Sequence, residues 1–89
     1  MKQEKMYEVQ VLKKVKKNLI DLHPEIYKRV IKVLEDLAEN PKPQGLLKLA
    51  GRDGFRLRVG DYRIIYDIDD VNKIVTVLDI GHRSSVYKS

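Results

Sequence analysis

The sequence predicts an α+β domain in which a helical hairpin packs on one face of a mainly antiparallel sheet of about four strands. In the first half of the chain, apolar residues recur every three or four positions, which is the spacing of one helix face. After residue 45 the period changes to two, which is the spacing of one strand face. A strand-like stretch precedes the helices, so the predicted order is β-α-α-β-β-β, and such grouping of helices and strands is typical of α+β domains. We expect residues 1–89 to form one domain.

The N-terminal part predicts a strand followed by a helix. Residues 6–11, MYEVQV, alternate and include β-branched and aromatic types, as strands do. The next apolar residues recur at helical spacing, and they are Leu12, Val15, Leu19 and Leu22. The lysines between them point away from this stripe. They form either the solvated side of the helix or a contact with an RNA backbone, for which the candidates are Lys13, Lys14 and Lys17.

A second helix is predicted from about Glu25 to Glu39. Pro24 suits the first turn of a helix, where its missing N–H costs nothing. The buried stripe has helical periodicity and comprises Ile26, Val30, Val33, Leu34 and Leu37. Asn40 and two prolines follow and end the helix, since proline cannot continue one. The short break between the helices predicts an antiparallel helical hairpin.

The second half of the chain carries strand patterns. The candidates are Leu46 to Leu49, residues 55–59, residues 62–68 and Lys73 to Ile80. Gly60 and Asp61 join the second and third of these, and a two-residue joint with glycine fits a tight hairpin. Residues 69–72 form the next turn, and Gly81 ends the last strand.

Composition narrows the range of partners. Eighteen Lys and Arg against thirteen Asp and Glu give a net charge of +5, which favours a polyanionic partner. The chain has no cysteine and two histidines, so neither a disulfide framework nor a metal or cofactor site is predicted. No apolar run approaches the roughly 20 residues that cross a bilayer, and no signal peptide is recognisable. We therefore expect a cytoplasmic protein without a membrane partner.

Alternation along the two central strands separates their arginines from their apolar side chains. The apolar residues at every second position share the face that should meet the helices, and they are Phe55, Leu57, Val59, Tyr62, Ile64, Tyr66 and Ile68. Arg56, Arg58 and Arg63 then project together from the other face. Arginine grips phosphoryl oxygens through parallel N–H donors. A solvated sheet face carries the same residue types, so these three residues alone leave phosphate binding and plain solvation equally open.

The segment G-F-R-L-R-V-G-D-Y-R-I-I-Y, followed by a strand and then I-G-H-R-S-S-V-Y, resembles the RelE/ParE superfamily of bacterial and archaeal toxins. The likeness covers nearly the whole chain and includes the leading strand, the helical hairpin, the proline-bearing linker and the K-L-A-G stretch. The ending G-H-R-S-S-V-Y is more similar to the RelE branch than to the ParE branch. The resemblance implies a toxin that cuts messenger RNA in the ribosomal A site and is neutralised by a RelB-like antitoxin.

The reaction that this resemblance implies needs no metal. The 2′-hydroxyl attacks the adjacent phosphate and leaves a 2′,3′-cyclic phosphate and a 5′-hydroxyl, which requires a base, an acid and cations. The family's functional positions match Arg56, Arg58, Arg63, Arg83 and Tyr87. By the resemblance, Arg63 and Arg83 would clamp the scissile phosphate, and Tyr87 would stack on a base or orient the 2′-hydroxyl.

One departure from the family concerns proton transfer. The best-known RelE has lysines where this chain has Arg56 and Arg58. A lysine can lose its proton when its environment disfavours charge, whereas arginine keeps its proton, so these positions stabilise charge but are poor acids or bases. His82 is the candidate that fills this gap, because histidine exchanges protons near neutral pH. Its alternative role is to pack at the strand end.

Two other functions stay open on the sequence. A ParE-like inhibitor of DNA gyrase would bind an enzyme without being one, although its relatives usually lack the C-terminal Arg and Tyr that this chain keeps at Arg83 and Tyr87. A basic RNA-binding domain without catalysis is compatible with arginine at the two lysine positions.

Overall fold

The computed structural model describes residues 6–82, which form two helices and five strands. In chain order these are β1 (Glu8–Val11), α1 (Lys13–Ile20), α2 (Pro24–Glu39), β2 (Leu47–Lys48), β3 (Phe55–Val59), β4 (Tyr62–Asp69) and β5 (Ile74–His82). The strands make one sheet in the order β1-β5-β4-β3-β2, in which β1 runs parallel to β5 and every other neighbouring pair is antiparallel. The α+β class and the helical hairpin are confirmed.

Both helices begin where the sequence signals place them. The side chain of His23 caps α2, since its Nδ1 accepts a hydrogen bond from the Glu25 N–H at 3.1 Å, and Pro24 occupies the first turn. Leu12 is the N-cap residue of α1, and it is 39% exposed. It therefore does not belong to the buried stripe that its spacing predicted. None of the helices in residues 6–82 is long and apolar enough to cross a membrane.

The core lies between the helices and one face of the sheet. Its buried members from the helices are Val15, Leu19, Val30, Leu34 and Leu37, and those from the sheet are Leu57, Val59, Ile64, Tyr66, Val75, Val77 and Ile80. Tyr66 is fully buried, and its hydroxyl donates to the Pro41 carbonyl at 2.7 Å, which ties the linker after α2 to the centre of the sheet. Burial raises the pKa of the Tyr66 hydroxyl well above its ordinary value.

The sheet differs from the prediction at two points. It has five strands and not about four, because the two residues of β2 add an edge by pairing Leu47 with Arg56 and Lys48 with Phe55. The last strand also does not end at Gly81, because ladder pairing with β4 continues to His82. The tight hairpin at Gly60 is confirmed, and its glycine has a φ of +62°, which a side chain would strain.

Candidate functional site

The face of the sheet that points away from the helices is here called the outer face. It carries a line of three residues across three strands, two of which are arginines. Arg58 pairs directly with Arg63 on the next strand, and Arg63 pairs with Gly81 on the one beyond. We call these three residues the arginine row. Neighbouring strands lie about 4.8 Å apart, so the two guanidinium groups start from adjacent backbone positions.

The two arginines of this row are held differently. Arg58 is exposed, and its Nε donates to the Gly60 carbonyl at 3.2 Å, so the hairpin turn fixes its direction. Arg63 is half-buried, and its Nε lies below the molecular surface. Like charges that lie directly opposite each other destabilise a sheet, so the fold itself gains nothing from this pairing.

A second line of residues runs parallel to the first and crosses four strands. Leu47 pairs with Arg56, Arg56 with Ile65, and Ile65 with Asp79. We call these four residues the groove row. It lies two residues, or roughly 6.5–7 Å, from the arginine row along each strand.

Three members of the groove row, Arg56, Ile65 and Asp79, line a depression of about 600 Å³, which is within the usual range for ligand sites. The described residues that line it are Leu12, Lys14, Lys48, Leu49, Ala50, Arg52, Arg56, Ile65, Leu78 and Asp79. Four of these are cationic, one is a carboxylate, and the rest are apolar. Ile65 in its floor is only 5% exposed although it lies outside the main core cluster. Cations around an apolar floor suit a ligand that has both phosphates and flat bases.

A β-bulge shapes this floor. Ile65 pairs with Asp79, whereas the next residue, Tyr66, pairs with Val77, so Leu78 is an extra residue in β5. Beyond the bulge the alternation of β5 changes phase: Val75 and Val77 face the core before it, and Ile80 faces the core after it. Bulges re-aim side chains in this way, and Leu78 and Asp79 both line the groove as a result.

The structure brings together several of the residues that the sequence singled out. Arg56, Arg58 and Arg63 share the outer face, and Lys14 joins Arg56 in the lining of the groove. Lys13 and Lys17 are exposed on α1 and are not among the lining residues. Their contact with RNA stays a prediction.

His82 lies on the other side of the sheet. It pairs with Tyr62, and the two rings meet edge to face with centroids 5.6 Å apart. Tyr62 in turn pairs with the core residue Val59, so this ring pair belongs to the helix-facing side of the sheet, at its exposed end. Alternation therefore separates the His82 ring from the arginine row. Arg83 and Tyr87 lie outside the described residues.

Three charged residues of the groove were missed by the sequence interpretation, and they are Lys48, Arg52 and Asp79. Regular alternation from Val75 and Val77 would have placed Asp79 on the core face, and only the bulge turns it outward. The available signal was the change of apolar phase in VTVLDI, where Val77 and Ile80 are three residues apart. Within residues 6–82, no three His, Asp or Glu side chains are grouped as metal ligands.

Comparison with known proteins places this arrangement among toxins. The family model of the ParE toxin of type II toxin–antitoxin systems matches residues 9–87. The putative toxin RelE1 of Methanocaldococcus jannaschii is 31% identical over 87 residues, covering 93% of this chain and 97% of that protein. Toxin RelG of Mycobacterium tuberculosis is 33% identical over 86 residues, covering 92% and 97%.

Solved structures of RelE toxins superimpose on this chain. The archaeal RelE–RelB complex from Pyrococcus horikoshii contains a chain that superimposes with a TM-score of 0.77 at 31% identity, covering 88% of this chain and 96% of that one. The isolated RelE toxin of E. coli superimposes with a TM-score of 0.75 at 25% identity, covering 92% of each chain.

Proposed function

Since this chain belongs to the ParE toxin family of type II toxin–antitoxin systems and is a toxin of the RelBE type, we propose that it is an endoribonuclease that cuts messenger RNA on the ribosome. The observation that supports this most is the arginine row. Two arginines directly opposite each other disfavour the sheet, yet Arg58 and Arg63 are held there beside a basic groove. Such an arrangement suits a ligand with several negative charges.

The proposed reaction is attack of a ribose 2′-hydroxyl on the adjacent phosphate, which releases a 5′-hydroxyl and a 2′,3′-cyclic phosphate. Negative charge builds on the phosphoryl oxygens in the transition state, and donors fixed in advance lower its energy. Arg63 is suited to be such a donor, because its half-buried guanidinium is already oriented and partly desolvated. Arg58 and Arg56 flank it and hold the neighbouring phosphates, and Arg83 and Tyr87 complete the site in this proposal.

The groove supplies the binding surface for the RNA strand. Lys14, Arg52 and Arg56 surround an apolar floor, so phosphates meet the rim while a base rests on Ile65 and Leu78. Lys48 lines the groove too, but its ammonium lies over the Phe55 ring on the helix-facing side. Such a surface recognises single-stranded RNA, whose bases are free to turn outward. A substrate held on translating ribosomes places the toxin in the cytoplasm.

A RelB-like antitoxin is the proposed protein partner. The similar structures include the RelE–RelB complex from Pyrococcus horikoshii and the toxin–antitoxin complex RelBE2 from Mycobacterium tuberculosis. The net charge of +5 favours a partner with an acidic segment.

The second candidate is a ParE-like inhibitor of DNA gyrase, which the name of the matching family model favours. It differs in its target and in having no reaction of its own. One pair of assays separates the two: primer extension on translating ribosomes and supercoiling by gyrase.

For the proposed function, we expect cuts at codon-phased positions in ribosome-bound mRNA and none in the same mRNA without ribosomes. Arg63→Ala should weaken these cuts by about 10²–10³-fold, whereas Lys28→Ala, on the exposed side of α2, should leave them unchanged. Absence of cutting together with loss of supercoiling would establish the gyrase candidate. RNA binding without cutting and without an effect on gyrase would leave a non-catalytic RNA-binding domain.

A further inference from the structure

The arginine row has no group that can move protons. Arginine keeps its proton, and the His82 ring sits with Tyr62 on the helix-facing side of the sheet. A reaction that begins with loss of the 2′-hydroxyl proton needs an acceptor on the outer face. Among the described residues that line the groove, Asp79 is the one carboxylate.

We infer that Asp79 is the general base of this site, which accepts the 2′-hydroxyl proton from RNA held by the arginine row and the groove. This inference rests on the proposed ribonuclease function. It assigns a catalytic role to a residue that matches none of the positions carried over from the family motif.

The sheet register puts Asp79 where such a base is needed. Arg63 pairs with Gly81, and Asp79 lies two residues before Gly81 on the same face. Diagonal neighbours of this kind are about 7–8 Å apart, a gap that one ribose and its phosphate span when Arg63 holds the phosphate. Gly81 has no side chain to stand between Arg63 and the carboxylate.

The surroundings of the carboxylate also fit the role. One oxygen, Oδ1, accepts the N–H of Ile80 at 2.8 Å, which orients the group within its strand. The side chain is half-buried beside Ile65 and Leu78. The charged side chains around it in the groove lining are Lys14 from α1, Arg52 from the loop and Arg56 from β3. On β4 its diagonal neighbours are Arg63 on one side and Asp67 on the other.

The proposed step balances without any further reactant. The 2′-hydroxyl proton moves to the Asp79 carboxylate, and the 2′-oxygen forms its bond to phosphorus. The bond from phosphorus to the 5′-oxygen breaks, and that oxygen takes a proton from solvent. The carboxylic acid then returns its proton to solvent, which restores the starting state.

The β-bulge at Leu78 supports this inference, because it places Asp79 on the outer face. A regular β5 would have turned Asp79 into the core, where an isolated carboxylate is very costly. The extra residue Leu78 instead brings the carboxylate into the groove while Ile80 returns to the core. The strand thus departs from regular pairing one residue before the one to which we assign the chemistry.

The test is single-turnover cleavage of ribosome-bound mRNA by Asp79→Asn, Asp79→Glu and a control variant, measured from acidic to basic pH. Asp67→Asn is the matched control, because Asp67 lies on the outer face of β4 and its Oδ1 accepts the next N–H, that of Ile68, at 2.9 Å. Asp67 is not among the residues that line the groove. Thermal melting confirms that each variant is folded.

We expect Asp79→Asn to cut at least about 10²-fold more slowly, which is the usual contribution of a general base. The fall in wild-type rate at acidic pH should be missing from its profile, and Asp79→Glu should recover part of the rate. Asp67→Asn should behave as wild type. A profile of unchanged shape for Asp79→Asn would overturn the assignment.

Two further outcomes also decide the question. A rate within about threefold of wild type for Asp79→Asn overturns the assignment while leaving the proposed function intact. If Asp79→Asn cuts at the full wild-type rate but at different codons, the assignment is also overturned, since Asp79 would then contact a base and set codon preference. A wild-type chain that cuts no mRNA on ribosomes fails the proposed function and this inference together.

Discussion

The two ends of the β4–β5 hairpin use charge in opposite ways. At the turn, the Asp69 carboxylate accepts the N–H groups of Val71 and Asn72 and the Asn72 amide at 2.9–3.1 Å. Those hydrogen bonds to Asn72 and Val71 hold the pKa of Asp69 below its ordinary value. Asp70 next to it accepts the Tyr7 hydroxyl at 2.7 Å and faces Lys42 Nζ at 3.7 Å.

The charged residues of the outer face are instead mostly cationic. Arg58 lies opposite Arg63, and four cations share the groove with one carboxylate. The turn satisfies its charges with nearby residues and so stabilises the hairpin, whereas the outer face and its groove gather cations from β3, β4, the β2–β3 region and a helix. Under the proposed function, charge serves folding at one end of this hairpin and RNA binding at the other.

The largest effect should come from the arginine row. We expect Arg63→Ala to reduce cleavage of ribosome-bound mRNA about 10²–10³-fold, because a fixed donor to the transition state is lost. Arg63→Lys should be intermediate, since lysine keeps the charge but not the paired donors. Melting temperature should change little in both. A large loss of stability with normal cleavage per folded molecule would mean that this arginine serves the fold.

A smaller effect is expected from the groove rim. The double variant Lys14→Ala and Arg52→Ala should weaken binding of a short single-stranded RNA about tenfold, and the salt dependence of binding should become shallower. Fluorescence anisotropy across a salt series measures both quantities. Lys28→Ala with Lys32→Ala removes the same charge from α2 and is the control. Equal losses in the two doubles would show that net charge alone matters.

A third change should act on stability alone. Tyr66→Phe leaves the buried Pro41 carbonyl without its 2.7 Å donor, and the free energy of unfolding should fall by about 1–2 kcal/mol. Urea denaturation measures this change. Cleavage per folded molecule should remain at the wild-type level, because the hydroxyl points into the helix-facing side. A selective loss of cleavage would contradict the division of the sheet into two faces.

The smallest effect is expected at the turn, and it should depend on pH. The Tyr7 hydroxyl lowers the pKa of Asp70, and Asp70 raises that of Tyr7. The contribution of this contact is therefore lost as pH falls below about 4, where the carboxyl is protonated, and as pH rises above about 10, where tyrosine ionises. Asp70→Asn should slightly lower the melting temperature between these limits, and the difference should shrink progressively beyond either limit. A difference that stays constant as pH falls below about 4 would point to packing and not to this charged contact.

The sequence predicts the faces of this fold better than its edges. Helical periodicity locates Val30, Leu34 and Leu37, and alternation places Arg56, Arg58 and Arg63 on one side of the sheet. A two-residue strand such as Leu47–Lys48 has too few positions to show a period, so its pairing is visible only in three dimensions.

The groove could not be predicted from the sequence for a related reason. Its lining combines residues from α1, the β2–β3 region and three central strands, and register, not proximity in the chain, brings them together. Asp79 was the least predictable member, because a single extra residue reverses the alternation that would have assigned its face. His82 was easy to single out by its chemistry, but its side of the sheet follows from pairing with Tyr62.

The bulge at Leu78 also bears on how accurately the chain folds. If β5 slipped by one position and closed the bulge, Ile80 would turn toward solvent and the Asp79 carboxylate would enter the hydrophobic interior. Both changes are strongly unfavourable. The Asp79 carboxylate that lines the groove therefore also raises the free energy of the misregistered strand. The residue that makes the outer face reactive in our proposal thereby also acts as a check on strand alignment during folding.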